Sequence, residues 1–143
     1  MVLLTSEPLD PAPLRAAVSR PGAGAVLIFE GTTRDTFGGR RVLRLEYEAY
    51  APLARAELRR ILDELEAEHP ELRLAVAHRL GPVPVGEVSV LVACSAPHRD
   101  LAYLGSRAAI DRLKARVPIF KKEHYDDQSA EWRANAESPP GDL

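Results

Sequence analysis

The chain is predicted to fold as a single α+β domain, with a mixed or antiparallel sheet, two long helices and one short helix. Three observations predict it. At 143 residues there is room for one hydrophobic core, expected over residues 1–136 with a frayed tail at 137–143. Two long segments carry helical periodicity, one opened by Pro52 and ended by Pro70, the other running from His98 to a stop at Pro118. Around them lie short apolar or alternating runs edged by turn residues, without the strict strand–helix alternation of a parallel sheet.

Val2 to Thr5 reads as a short strand. Asp10-Pro11 is a cap followed by a first-turn proline, and it opens the short helix, which reaches Ser19. Gly22 and Gly24 mark a turn before Ala25-Val26-Leu27-Ile28-Phe29, a buried strand. A polar loop with two glycines follows, from Thr32 to Arg40. Val42 to Tyr50 alternates Val42, Arg44, Glu46 and Glu48 against Leu43, Leu45, Tyr47 and Ala49, a strand with two unlike faces. In the first long helix Ala54, Leu58, Ile61, Leu62 and Leu65 form one apolar stripe. Strands near 72–79 and 88–94 are joined by the turn-rich Gly81-Pro82-Val83-Pro84-Val85-Gly86. The second long helix begins with Ser95 or Ala96 near its cap and Pro97 in its first turn, and Ile119 to Tyr125 is extended.

Composition narrows the function. Apolar residues at 45% suffice for a packed core, and a formal charge of -2 supplies no bulk attraction to nucleic acid or membrane. No apolar run reaches bilayer length, and the N-terminal residues turn polar too early for a secretory leader, so a cytoplasmic location is expected. The single cysteine, Cys94, excludes an internal disulfide and any zinc site built on cysteine pairs. It ends an apolar strand and is expected in the core. The four histidines lack the helical pairing of a zinc hydrolase, and no glycine loop has a nucleotide-binding context.

Three segments carry anion chemistry. In Lys114-Ala115-Arg116-Val117-Pro118-Ile119-Phe120-Lys121-Lys122-Glu123, a helix carrying Lys114 breaks at Pro118 and the chain returns with Lys121 and Lys122. Such a turn can bring lysines from two elements to one pocket, where crowding lowers a lysine's pKa toward useful acid–base chemistry. The plainer reading is a basic helix end complementing the helix dipole. In Ser95-Ala96-Pro97-His98-Arg99, a helix start offers free N–H groups beside His98 and Arg99. In Gly31-Thr32-Thr33-Arg34, a strand leaving the core presents hydroxyls and a guanidinium suited to phosphate or carboxylate. Each alone reads equally well as surface structure.

Taken in order, these segments together with Leu45-Glu46-Tyr47-Glu48-Ala49-Tyr50, His78-Arg79-Leu80-Gly81 and Glu131-Trp132-Arg133-Ala134-Asn135 resemble the molybdopterin synthase large-subunit family, from about Thr5 to Asn135. The resemblance implies an α/β-hammerhead type of fold. It also implies a sulfurtransferase that converts a cyclic pyranopterin monophosphate to molybdopterin. The sulfurs arrive as a thiocarboxylate on the C-terminal glycine of a small ubiquitin-like carrier. By motif match, Lys114 and Lys121 are the implied catalytic residues. Thr32, Thr33, Arg34, His98, Arg99, Lys122 and Glu123 are the implied substrate-binding set. The family implies no metal or other cofactor, and a dimer of large subunits with a carrier at each outer end. Two positions depart from the family's usual pattern. Phe120 stands where relatives often carry Trp, and Glu30 adds an acid near Arg34.

Two further readings compete. A non-enzymatic adaptor would dock a ubiquitin-like protein through the same basic groove. A small RNA binder would need stacking platforms, which 6% aromatic residues supply poorly.

Overall fold

Strand propensity and two-sided burial generate the centre of the molecule. The computed structural model describes residues 1–135; the expected tail at 137–143 lies outside the described residues. A four-stranded sheet runs in the order β1 (Val2–Thr5), β5 (Arg73–Arg79), β7 (Val88–Ala96), β2 (Ala25–Thr32). β1 pairs parallel to β5, whereas β5–β7 and β7–β2 are antiparallel. The sheet is therefore mixed, as expected.

Both faces of this sheet are covered, which explains why its central strands read as continuous apolar runs. Leu74, Val76, Val90, Val92 and Cys94 point to one face and join the larger core with the stripe of α2 (Ala51–Glu68) and the inner side of α3 (Arg99–Arg116). Ala75, Ala77, Leu91 and Ala93 point the other way and pack under Leu14 and Val18 of α1 (Pro11–Val18). Small residues on that second face suit a helix of only eight residues. Asp10 caps α1 by accepting the Ala12 N–H at 3.0 Å. In α2 all five stripe residues, Ala54, Leu58, Ile61, Leu62 and Leu65, are buried.

α3 lies close on the sheet because Gly105 faces it. A Cβ there would come within 2.8 Å of both Leu72 methyls and 3.1 Å of the Cys94 sulfur. Arginines on the outer side tie α3 to α2: Arg112 pairs with Glu68 at 2.9 Å, and Arg116 with Glu64 at 2.6 Å and Glu57 at 2.8 Å. α3 begins one residue after its cap, His98, while Ser95 and Ala96 remain in β7 and are buried. The expected cap at Ser95 or Ala96 is thus displaced. The Ser95 hydroxyl is instead held in the core by the Val18 carbonyl at 2.5 Å.

A second sheet runs β3 (Thr36–Phe37), β4 (Arg40–Ala49), β8 (Ile119–Tyr125), β9 (Ala130–Ala134), with β6 (Gly81–Pro84) also on β4. The segment 81–86, expected as a connection only, thus contains a short strand. Pro82 and Pro84 lie opposite Glu46 and Arg44 of β4, on a strand paired along one side only, where a missing N–H costs nothing. Among the described residues no helix is long and apolar enough to cross a membrane.

Leu65→Ala should lower the free energy of unfolding by about 2–5 kcal/mol, as for other fully buried leucines. Leu53→Ala, on the exposed side of the same helix, should change it by less than about 0.5 kcal/mol. Urea denaturation followed by circular dichroism compares the two.

Candidate active site

The last turn of α3 and the strand after it set the geometry. Val117 ends the helix, its N–H donating to the Leu113 carbonyl at 3.0 Å, and Pro118 forbids continuation. Arg116 is committed to α2, while Lys114, two positions earlier and so on another side of the helix, faces the second sheet. The chain then turns into β8, where alternation puts Lys121 and Glu123 on the inner face and Phe120 and Lys122 on the outer one.

Lys114, Lys121 and Glu123 line a cleft of about 380 Å³ between the two sheets. Its other polar walls include Thr32, Arg34, Thr36 and Ser89, and its apolar walls include Phe29, Phe37, Val42 and Leu45. Gly31 is required where β2 enters this wall, because a Cβ there would lie 2.6 Å from a Val90 methyl. Tyr47 forms part of the floor, with its hydroxyl hydrogen-bonded to Ser89 and its pKa raised mainly by burial. Ser89 in turn donates to the Gly31 carbonyl at 3.2 Å.

Burial, then the charge of Lys114, holds the Lys121 ammonium below its ordinary pKa. Arg34 and Arg133 push the same way, and Glu123 opposes them. Glu123 is buried, and the Arg133 Nε donates to its Oε2 at 3.0 Å while the Tyr125 hydroxyl donates to the same oxygen. Behind the floor lies His78, also buried, with its ring edge-on to Tyr47 at 4.9 Å. Its Nδ1–H donates to the Arg79 carbonyl at 2.9 Å, and its Nε2 accepts from the Asn135 amide at 3.3 Å. Burial lowers its pKa to about 4, against an Arg79 hydrogen bond that favours the charged ring, so the imidazole is neutral at pH 7. Cys94 is a core residue, with burial pushing its thiol up to about 11.

The cleft therefore gathers Thr32, Arg34, Lys114, Lys121 and Glu123 of the residues singled out in the sequence. Four others do not line it. Lys122 lies on the outer face, its ammonium 5.4 Å from the centre of the Trp132 ring. Thr33 is buried against the turn before β7, its N–H donating to Glu87 and its carbonyl accepting from Gly86. His98 and Arg99 sit at the opposite end of α3 from Lys114, roughly 22 Å along the axis at 1.5 Å per residue. Their expected convergence with Lys114 does not occur within one copy of the chain. The residues that sequence reasoning missed are Tyr47, Ser89, Phe29, Phe37 and, behind Glu123, Arg133. Only the alternation of β4 and β8 foreshadowed any of them, by placing Tyr47 opposite Lys121.

Fold and cleft together define an α+β protein that gathers Arg34, Lys114 and Lys121 in one cleft where two sheets diverge. The chain belongs to the MoaE protein family, whose model matches residues 4–116. It is 51% identical over 137 residues to a molybdopterin synthase catalytic subunit of Drosophila willistoni, covering 94% of this chain and 37% of that one. Against the subunit of the same description from Oryza sativa subsp. indica it is 58% identical over 115 residues, covering 80% and 59%. The chain thus spans less than two thirds of these two relatives, although it covers 72% of the Bos taurus subunit at 45% identity. The crystal structure of molybdopterin synthase from Staphylococcus aureus superposes with a TM-score of 0.88 at 37% identity, covering 92% of this chain and 95% of that one.

The neutral, buried His78 links folding to pH. In the unfolded chain its imidazole takes up a proton near pH 6.5, whereas in the fold it does so only near 4. Its contribution is complete above pH 6.5 and is lost as the pH falls from 6.5 toward 4, a loss on the order of 3 kcal/mol. Urea unfolding at stepped pH should show this slope, and His78→Gln, which keeps a neutral donor and acceptor, should flatten it.

Proposed function

We propose that the chain is the catalytic subunit of a molybdopterin synthase. In this reading it transfers sulfur to a cyclic pyranopterin monophosphate from the C-terminal thiocarboxylate of a small ubiquitin-like carrier. The observation that carries the proposal is the pairing of Lys114 and Lys121 in one cleft with Arg34. Substrate phosphate, incoming thiocarboxylate and reaction intermediates are all anionic. Fixed cations in a partly dehydrated cleft stabilise them far more than water-exposed cations would. Lys114 and Lys121 hold and move protons where carrier tail and pterin meet, and Lys121, already below its ordinary pKa, releases a proton more readily than a surface lysine. Arg34 and Thr32 hold the phosphate. The sulfur is imported, so the chain needs no nucleophilic cysteine. The proposal includes a cytoplasmic setting, where reducing conditions preserve a dithiolene product.

His98 and Arg99 enter this site from a second copy. β2 is an edge strand of its sheet, and Phe29 on it is exposed, as are Tyr103 and Leu104 of α3. A two-fold pairing across this surface runs the two α3 helices antiparallel, which brings the partner's helix start toward the Lys114 end. The same pairing leaves both clefts open for carriers at the outer ends, giving a heterotetramer.

Incubation of the chain with thiocarboxylated carrier and pterin precursor, read by mass spectrometry, should yield the two-sulfur product. Lys114→Ala should bind carrier yet lose at least about a hundredfold in rate, the scale of a lost proton-transfer group. Carrier binding without product in the unmodified chain would favour the adaptor. Mixing Lys114→Ala with a His98→Ala/Arg99→Ala chain should restore part of the activity that each lacks, because one of the two sites in a mixed dimer is then intact.

A further inference from the structure

Beside the Lys121 amine stands a carboxylate that does not pair with it. Glu123 is two residues along the same strand face, buried, and lines the same cleft. An unengaged carboxylate at that spacing would form an ion pair with Lys121, fix its proton and remove one cation from the anion-binding set. It is engaged from the other side. Arg133 of β9 lies opposite Lys121 in the strand register, and its Nε donates to Glu123 Oε2 at 3.0 Å, the oxygen that also accepts from Tyr125. The guanidinium is itself fixed. Its terminal nitrogen pairs with Glu131 at 2.8 Å, and its plane lies 4.6 Å from the centre of the Phe37 ring, a wall of the cleft. Lys121 meets the same ring, its nitrogen 6.0 Å from the centre.

We infer that Arg133 is a positioning residue: it holds the Glu123 carboxylate away from the Lys121 amine and so keeps that amine available to a bound anion. The charged groups facing Lys121 are Lys114 from α3, Arg34 from the loop after β2, Glu123 from β8 and Arg133 from β9, with the neutral Tyr47 opposite it on β4. Of these only Glu123 is negative. Removing Arg133 therefore acts in one direction, by freeing the single anion and by deleting a repelling cation. The catalytic consequence rests on the function proposed above, but the arrangement of charges does not.

Lysine side-chain NMR on chain labelled with ¹³C and ¹⁵N lysine reads the Lys121 titration directly, assigned by loss of its signal in Lys121→Arg. Arg133→Met should raise the titration midpoint, and Arg133→Lys should restore most of the original value. In a Glu123→Gln background, Arg133→Met should raise it by less, because only the direct repulsion is then lost. Equal rises in the two backgrounds, or no rise in either, would overturn the inference. If Arg133→Met does not fold, Arg133→Gln enters the same cycle. In the sulfur-transfer assay, the limb of the pH–rate profile set by Lys121 should move to higher pH in Arg133→Met, whichever protonation state is active. Absence of product from the unmodified chain would count against the proposed function while leaving the NMR result to judge Arg133.

Discussion

Holding two lysine ammoniums in one partly dehydrated cleft is the constraint on which the rest of the structure depends. Left to themselves, like charges separate and turn toward water. Here neither side chain is free to carry its backbone away. α3 is pinned by Ala102, Ala109, Ile110 and Leu113 in the core and by the arginine pairs to α2. β8 is pinned between β4 on one edge and β9 on the other. Pro118 joins these two anchored elements by a turn too short to relax. Repulsion between the cations is thus offset by burial elsewhere, and it remains as a lowered proton affinity at Lys121.

The cleft exists because one sheet is covered on both faces and the other is not. β5 and β7 bury side chains above and below, so their sheet is rigid and offers no opening at its centre. The second sheet shares only part of that core, through Tyr47, Val83 and Ile119. Where the two sheets part, the cleft is lined by Val42, Leu45 and Tyr47 of β4, by Lys121 and Glu123 of β8, by Lys114 of α3 and by the end of β2. Tyr47 is the hinge of this arrangement, its ring against the buried His78 and its hydroxyl in the cleft on Ser89. Polar groups at such a seam stay satisfied only when each donor finds an acceptor, and the Asn135–His78–Arg79 chain does so without a net charge.

Much of the fold was legible because its signals are local. The α2 stripe, the Asp10 cap of α1 and the stop at Pro118 all follow from periodicity and backbone chemistry within a few residues. Less legible were features set by pairing across the chain. β6 was hidden by its prolines, which only a strand paired on one side tolerates, and the cap of α3 was misplaced because Ser95 bonds to α1, far away in sequence. Two site residues lie elsewhere in one copy than expected, for different causes. The outward position of Lys122 was legible from strand alternation alone, since neighbours of Lys121 on β8 must face outward. The separation of His98 from Lys114 follows as directly from helix rise, but resemblance to a family carries residues as a set and not as distances. Arg133 was invisible, because its partner Glu123 lies on another strand and nothing in Glu131-Trp132-Arg133 marks which face it takes.

The same geometry disposes of both departures from the family's usual residues. Phe120 precedes Lys121 and therefore faces outward, half exposed, beside Trp132 in register two positions from it. An indole N–H at that position would point away from the cleft, so its loss removes no contact to a bound anion. Glu30 lies between Phe29 and Gly31 on β2, both of which line the cleft, so alternation turns its carboxylate to the opposite face, the side of α1. It is exposed there, in water of high dielectric, where its charge is screened from Arg34. The field in the cleft is accordingly set by Arg34, Lys114, Lys121 and the one carboxylate that Arg133 holds. Within one copy of the chain, the substitutions that alter that field most directly lie on the inner face of β8 or β9, on the Lys114 side of α3, or where β2 leaves the sheet.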